Sequence, residues 1–175
     1  GNRLLPATRV SWAFGMGADS LTVGVLIPAL SIARVIGKAG AGLKQIRQNS
    51  CCKVHVHEQA ENQESRRLDI TGLPPGVGTA LHQAILLAFG DAGANGSREI
   101  TVLIPHDFAG AVAGKAGANL KRVREVTGVR VTLERGETPD VQERVVTLVG
   151  NAGRLGQALT MALLGHSAAM PTPGV

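Results

Sequence analysis

The stretch VLIPALSIARVIGKAGAGLKQIR at residues 25–47 decides the fold, because it occurs a second time, as VLIPHDFAGAVAGKAGANLKRVR, at residues 102–124. The tetrapeptides VLIP and GKAG recur in one register, at an offset of 77 residues (102 minus 25). Further along, after a shift of one residue, the matches continue at Arg66 with Arg144, Gly72 with Gly150 and Ala80 with Ala158. A repeat of this extent indicates two copies of one folded unit.

Each copy has the same order of predicted elements. Period-two apolar runs predict strands, and apolar residues at helical spacing predict helices. In the first copy we expect a strand at 21–27, helices at 31–36 and 41–49, strands at 53–57 and 67–71, and a helix ending near Phe89. In the second copy we expect a strand at 100–104, helices on either side of 114–117, strands near 130–134 and 144–149, and a helix at 152–164. This order predicts an α+β fold, with three strands under three helices in each unit.

The expected division of the chain follows from the repeat. We assign residues 20–89 to the first unit and 98–166 to the second, leaving 1–19 and 167–175 unassigned. Between the units, residues 90–97 read GDAGANGS, a composition typical of linkers. Since an extended chain of that length spans at most about 28 Å, the units must be neighbours.

The composition of the chain restricts the classes of partner that it can bind. The formal net charge is +5 and the pI is about 9.9, which suits a polyanionic partner. Aromatic residues make up only 2%, so a nucleic acid would be held by backbone, aliphatic and basic groups rather than by stacking rings. Cys51 and Cys52 are adjacent and have neither disulfide-framework nor zinc-site spacing, so we expect an intracellular protein. No apolar run approaches the length of about 20 residues that a membrane span needs.

The two GKAG segments are the candidate binding elements. Glycines at 37, 40, 114 and 117 permit positive φ and leave no Cβ between the backbone and a ligand. The helix that follows each segment directs unpaired N–H groups toward the same point. Lys38 and Lys115 lie between the glycines, where an ammonium group meets a phosphate. The two segments therefore predict backbone clamps for a single strand.

Charge is segregated within each unit. Between Pro28 and His57 there is no Asp or Glu. The acidic residues collect instead in the loops after the second strand of each unit, at Glu58, Glu61, Glu64, Glu134, Glu137, Asp140 and Glu143. Such segregation indicates that the basic side of each unit faces an anion.

The order VLIP, RVIGKAG, LKQIR resembles the eukaryotic type I KH domain, most closely the poly(C)-binding proteins, heterogeneous nuclear ribonucleoprotein K and the Nova proteins. The resemblance covers about residues 20 to 166. It implies two type I KH domains, each a three-stranded antiparallel sheet packed against three helices, with a groove for about four nucleotides. The implied ligand is single-stranded RNA, or single-stranded DNA as the alternative, with a preference for pyrimidines and especially cytosine. It implies a role in post-transcriptional regulation in the nucleus, the cytoplasm or both, with no cofactor and no membrane partner.

The resemblance also implies which residues bind RNA. In the first unit these are Val35, Ile36, Gly37, Lys38, Ala39, Gly40, Leu43, Lys44, Ile46, Arg47, Lys53, Val54 and Arg66. In the second they are Val112, Gly114, Lys115, Ala116, Gly117, Lys121, Arg124, Arg130 and Arg144. Three departures from the family pattern are visible. Ala39 and Ala116 replace the more common Lys or Gly within the loops, which removes one possible charge. Ala113 stands where the first unit has Ile36, which predicts a shallower groove floor, and Cys51 replaces a glycine that the second unit keeps as Gly128.

Other readings carry less weight. His55 and His57 share one strand face, but a metal site needs more ligands than these, so we expect none. No nucleophile motif or Walker loop is present, so we expect no enzyme. The alternative to RNA binding is a protein-interaction module, because both final helices are unusually apolar and invite a protein partner or self-association. We expect instead that the units pack as a fixed pair through the final helix and first strand, burying Leu86 and Phe89.

Overall fold

The computed structural model describes residues 20–58, 63–94, 96–135 and 142–169. The expectations about 1–19, about Glu61, Glu137 and Asp140, and about the end of the chain beyond 169 lie outside these residues.

Both copies fold into the predicted sequence of elements. The first unit consists of β1 (Leu21–Pro28), α1 (Ala29–Ile36), a 3₁₀ turn (Lys38–Gly40), α2 (Ala41–Ser50), β2 (Lys53–Val56), β3 (Ser65–Gly72) and α3 (Pro74–Ala94). The second consists of β4 (Ser97–Pro105), a 3₁₀ turn (His106–Phe108), α4 (Ala109–Ala113), a 3₁₀ turn (Lys115–Gly117), α5 (Ala118–Thr127), β5 (Arg130–Leu133), β6 (Glu143–Asn151), a 3₁₀ turn (Ala152–Arg154) and α6 (Leu155–Ala169).

One boundary differs from the expectation. Helix α3 was expected to end near Phe89, but it continues through a kink at Gly90, where φ is 74°, and ends at Ala94. Strand β4 then begins at Ser97. Five of the eight residues expected to form a linker, 90–94, therefore belong to the helix.

Strand β1 shows why the sheet forms. Leu21, Val23, Val25 and Ile27 are buried at alternate positions, as expected for a strand with one face on a core. It pairs antiparallel with β3, which pairs antiparallel with β2. The second unit repeats this arrangement with β4, β6 and β5. The predicted α+β fold, with three antiparallel strands in each unit, is confirmed.

The two units form one continuous sheet. Its strand order is β2-β3-β1-β4-β6-β5, and β1 pairs antiparallel with β4. In that pairing Val25 lies opposite Val102, the residue to which it corresponds in the repeat. The two units are therefore related by a local two-fold axis that passes between these valines, and β2 and β5 lie at opposite edges of the sheet.

Helices α3 and α6 pack against each other on the face of this sheet. They cross at Gly78 and Gly156: a Cβ on Gly78 would lie 1.7 Å from the Thr160 Oγ1 and 2.6 Å from the Gly156 carbonyl oxygen. The expectation of a fixed pair, joined by final helix and first strand, is confirmed. The expected contact residues were correct only in part: Phe89 packs against Arg98 of the second unit, but Leu86 and Phe89 are only partly buried and the closest approach of the helices is made by glycines.

One hydrophobic core runs through both units, with the buried faces of the strands against the buried faces of the helices. None of the helices in the described part of the chain is both long enough and apolar enough to traverse a lipid bilayer.

Candidate nucleic-acid interface

The GKAG loop of the first unit has a defined left-handed geometry. Gly37 has φ 76° and ψ 172°, Ala39 has φ 55° and ψ 29°, and Gly40 has φ 77° and ψ 12°. A Cβ on Gly37 would lie 2.6 Å from the backbone nitrogen of Gly42, so glycine is required there by packing as well as by φ. At Gly40 a Cβ would meet nothing within 4 Å, so that glycine is required by φ alone and borders open space.

The second loop repeats the first almost to the degree. Gly114 has φ 74° and ψ 171°, Ala116 has φ 55° and ψ 30°, and Gly117 has φ 76° and ψ 11°. Ala39 and Ala116 are left-handed although they carry a Cβ, a conformation that costs energy and is concentrated at functional sites. The chain holds the same strained backbone twice, which points to a shared ligand geometry.

The helices that follow the loops begin without side-chain caps. Gly40 and Gly117 are the N-cap residues of α2 and α5, and neither first turn carries an acidic side chain. The N–H groups of Ala41 and Ala118 donate to the Lys38 and Lys115 carbonyl oxygens, and those of Gly40 and Gly117 donate to the Gly37 and Gly114 carbonyl oxygens. What each helix start offers an anion is therefore its partial positive charge rather than these N–H groups. Lys38 and Lys115 are both exposed at the same place.

The groove floor is made by partly buried aliphatic side chains. Ile36 and Leu43 provide it in the first unit, and Ala113 and Leu120 occupy the corresponding positions in the second. Leu120 was absent from the sequence-based list, although its match to Leu43 in the repeat could have identified it. The remaining apolar residues of that list are buried in the core, beneath the floor: Val35, Ile46, Val54 and Val112.

Three of the expected arginines donate hydrogen bonds to backbone carbonyls. Arg47 binds the Val54 oxygen through Nε and Nη2 at 3.2 and 2.7 Å. Arg66 binds the His57 oxygen at 3.1 and 2.8 Å, and Arg144 binds the Glu134 oxygen at 3.0 and 2.6 Å. These contacts fasten the guanidinium groups beside the second strand of each unit, while further N–H donors remain on each group.

The other expected cations are exposed. Within the described residues none of them forms an ion pair or a side-chain hydrogen bond: Lys38, Lys44, Lys53, Lys115, Lys121, Arg124 and Arg130. Such side chains are free to contact phosphates or base edges. The structure thus brings loop, helix start, aliphatic floor and cations together on one side of each unit.

His57 belongs to a different network. Its Nε2 lies 2.6 Å from the Asp69 Oδ2, and Arg67 Nε donates to the Asp69 Oδ1 at 2.6 Å. Desolvation raises the pKa of Asp69, but the hydrogen bonds from His57 and Arg67 outweigh it and hold that pKa below its usual value. The described residues contain no group of three or more side chains suited to a metal ion.

Comparison with known proteins places these features in a family. The KH domain family matches residues 22–85 and 99–163. The chain is 27% identical over 157 residues to far upstream element-binding protein 2 from Homo sapiens and from Rattus norvegicus. Each match covers 82% of this chain but only 22% of the relative, so the chain spans about a fifth of the length of these curated relatives.

Two solved structures from Pyrococcus horikoshii OT3 also resemble the chain. One is Dim2p, with a TM-score of 0.33 and 20% identity, covering 82% of this chain and 89% of that one. The other is a complex of a/eIF2alpha, aDim2p and rRNA, with a TM-score of 0.35 and 20% identity, covering 94% and 93%.

The two matched segments coincide with the two structural repeats, and each contains one GKAG loop between two helices. Together they cover more than half of the chain. KH domains hold a single strand through a loop of the G-x-x-G form. The chain belongs to the KH domain family and contains two such domains in tandem.

Proposed function

We propose that this chain binds single-stranded RNA, with single-stranded DNA as a weaker ligand, through one groove on each domain. The observation that carries the proposal is the pair of GKAG loops with matching strained backbones. Each is followed by an uncapped helix and carries an exposed lysine. Family membership supports the same ligand class.

The strand backbone would contact the loop, and the bases would contact the opposite side of the groove. Phosphates meet the positive end of the helix that follows each loop, together with Lys38 or Lys115. Bases lie on the aliphatic floor, within reach of the exposed cations on the second strand, Lys53 and Arg130. These four cations give binding a strong dependence on salt.

In the described part of the chain, base recognition relies on groups other than aromatic rings. Phe89 lies under the Arg98 guanidinium at 3.8 Å, and Phe108 packs against the core, so neither presents a free ring to a base. An aliphatic floor with basic side chains suits small bases that offer hydrogen-bond acceptors. This agrees with the pyrimidine and cytosine preference that the resemblance implies.

The sheet order has a consequence for the length of the RNA. Strands β2 and β5 lie at opposite edges, five strand spacings apart, or about 24 Å. The local two-fold axis also makes the two grooves run in opposite directions. One strand can therefore fill both grooves only if a spacer between its two binding segments turns back.

We assign the chain the role of a binding protein in post-transcriptional regulation, in the nucleus, the cytoplasm or both, and we assign it no reaction and no cofactor. The alternative of a protein-interaction module rested on the apolar final helices. The packing of α3 against α6 covers part of that apolar surface within one chain, which supports RNA binding over this alternative.

A binding titration tests the proposal. We expect oligocytidine RNA to bind more tightly than oligoadenosine RNA or oligocytidine DNA, with affinity falling as salt rises. Two cytidine segments joined by a long spacer should bind more tightly than the same segments joined directly. A folded protein that binds none of these oligonucleotides at low salt would contradict the proposal.

A further inference from the structure

A pocket lies behind the GKAG loop of the second domain. It has a volume of ≈ 620 Å³ and is bordered by α4, α5 and Gly165 of α6. Its walls are mostly small residues, among them Ala111, Ala118 and Gly165, and its polar boundary is formed by Lys115, Asn119 and Arg122. Of the described residues that line it none is acidic, so this part of the pocket is apolar inside and positive at its edge.

The pocket and the groove lie on opposite sides of one helix. With about 3.6 residues per turn, Ala118 and Arg122 of α5 share one side, whereas Leu120 and Arg124 lie on the groove side. Lys115 belongs to the loop that separates the two sides, and it lines the pocket. A ligand in the pocket would thus be continuous with a strand held by the loop.

Gly165 lets α6 approach α4 closely at the border of the pocket in the second domain. Its φ of 38° and ψ of −113° break the helical path of α6, and a Cβ there would lie 2.3 Å from the Ala111 carbonyl oxygen. In the first domain the corresponding residue is Leu87, which packs against the core. The break in α6 therefore makes the two domains unequal behind their loops.

Asn119 sets the position of the cation. Its Nδ2 donates to the carbonyl oxygens of Ala111, Val112 and Ala162 at 3.2, 2.9 and 3.1 Å. Its Oδ1 accepts a hydrogen bond of 3.0 Å from the Arg122 Nη2. The amide group of Asn119 thus binds protein atoms rather than a ligand. It orients the Arg122 guanidinium group, which keeps other N–H donors for a ligand.

The first domain has neither this asparagine nor this arginine. Gly42 replaces Asn119, and a Cβ there would lie 2.1 Å from the Val35 carbonyl oxygen, so no side chain fits between the helices. Gln45 replaces Arg122.

We propose that the pocket binds one further nucleotide of the strand held by the second loop, so that the second domain has a longer footprint than the first. The phosphate lies between Lys115 and Arg122, and the base lies on the small apolar residues, against the Arg122 guanidinium plane. This inference rests on the proposed function. The positive edge selects an anion, and the shared Lys115 selects the RNA strand over an unrelated anion.

The test uses the full chain with its first loop disabled by Lys38→Asp and Ala39→Asp. The probes are cytidine RNAs of four and five nucleotides, and the four-nucleotide RNA extended by an abasic nucleotide at either end. We expect the fifth nucleotide to raise affinity about fivefold, as for one additional charged contact. Arg122→Gln should abolish this gain and leave the affinity for four nucleotides unchanged, and Ala118→Leu should also abolish the gain. Ala41→Leu, the matched change in the first domain, should alter neither.

The outcomes are separable. If the wild-type chain binds neither RNA, the proposed function fails. If the wild type binds but the chain with the disabled first loop does not, the second groove binds no RNA and the pocket proposal is overturned while RNA binding by the first groove stands. If four nucleotides bind but the variants keep the gain, or if the fifth nucleotide adds nothing, the pocket proposal is overturned. A lowered melting temperature in Ala118→Leu, with a normal gain in Arg122→Gln, would mean that the chain itself fills the pocket, which also overturns it.

Discussion

Arg67 of the first domain and Glu143 of the second form a bidentate ion pair, with Nη1 donating to Oε1 at 2.7 Å and Nη2 donating to Oε2. Gly24 makes room for it, since a Cβ there would lie 2.5 Å from the Arg67 Nε. In the second domain, Thr101 stands at the position that corresponds to Gly24. The pair therefore fastens the domains on one side of the two-fold axis only, and it links the junction to Asp69 and His57.

The first prediction concerns the loops. Changing Lys38 and Ala39, together with Lys115 and Ala116, to Asp should abolish RNA binding, because carboxylates then face phosphates. The fold should survive, since Asp tolerates the left-handed conformation of Ala39 and Ala116 better than most residues. Fluorescence anisotropy with labelled RNA measures binding, and circular dichroism measures folding.

Changing one loop alone should reduce the affinity for RNA less than changing both, because tethered sites reinforce each other. The first loop should matter more, since Ile36 gives its groove a fuller floor than Ala113 does. Arg154→Asp, an exposed charge change at the start of α6, is the control and should bind normally. If a folded variant with both loops changed kept its affinity for RNA, the GKAG loops would not be the RNA-binding elements.

The second prediction concerns base reading by Arg130, which is exposed on β5. Arg130→Ala should reduce the ratio of affinities for C-rich and A-rich strands, because a guanidinium on the groove edge donates to base acceptors. Lys121→Ala should weaken both strands equally, as expected for a phosphate contact. An equal loss of affinity in Arg130→Ala would identify Arg130 as a phosphate contact as well.

The third prediction is a pH dependence of stability. The pKa of Asp69 lies below its usual value in the folded state, so this carboxylate adds stability above the unfolded pKa of about 3.9. That contribution is lost as pH falls through the folded pKa. Urea unfolding of the wild type and of Asp69→Asn should show a stability difference at pH 6 that shrinks as the pH falls below about 4. A difference that stays constant with pH would exclude this contribution from Asp69.

The fourth prediction concerns Cys51, which ends α2 in the left-handed region at φ 58°. Gly128 holds the same position in the second domain, at φ 77°. Cys51→Gly should raise the free energy of unfolding by about 1 kcal/mol, because glycine adopts this conformation without Cβ strain. The reciprocal Gly128→Cys should lower it by a similar amount, and a destabilising Cys51→Gly would contradict the explanation.

The sequence could predict whatever depends on local pattern. Alternating apolar residues located β1, and two GKAG copies located the loops, because period and positive-φ glycines are local signals. The contacts of Arg47 and Asn119 could not be predicted, since they depend on which carbonyls the folded helices and strands bring near. The crossing of α3 and α6 could not be predicted from the sequence for a different reason. A glycine inside a helix ordinarily signals weakness, so Gly78 and Gly156 carried no sign of the close approach that they permit.

The last prediction concerns that crossing. A methyl group on Gly78 would collide with the Thr160 side chain and with the backbone carbonyl of Gly156. The carbonyl cannot rotate away as a side chain can, so α3 and α6 must separate. Gly78→Ala should therefore lower the free energy of unfolding by about 1–3 kcal/mol, the usual cost of overpacking, despite the better helix propensity of alanine.

Gly110→Ala is the matched control, because Gly110 is also helical and a Cβ there meets nothing within 4 Å. It should be neutral or should stabilise the protein by up to about 1 kcal/mol. Adding Thr160→Ala to Gly78→Ala should recover only part of the loss, since the Gly156 carbonyl remains 2.6 Å away. Chemical denaturation measures all three variants. Equal stabilities of Gly78→Ala and Gly110→Ala would show that the packing of the helices does not depend on this contact, and that the β1–β4 pairing and the Arg67–Glu143 ion pair suffice to hold the domains together.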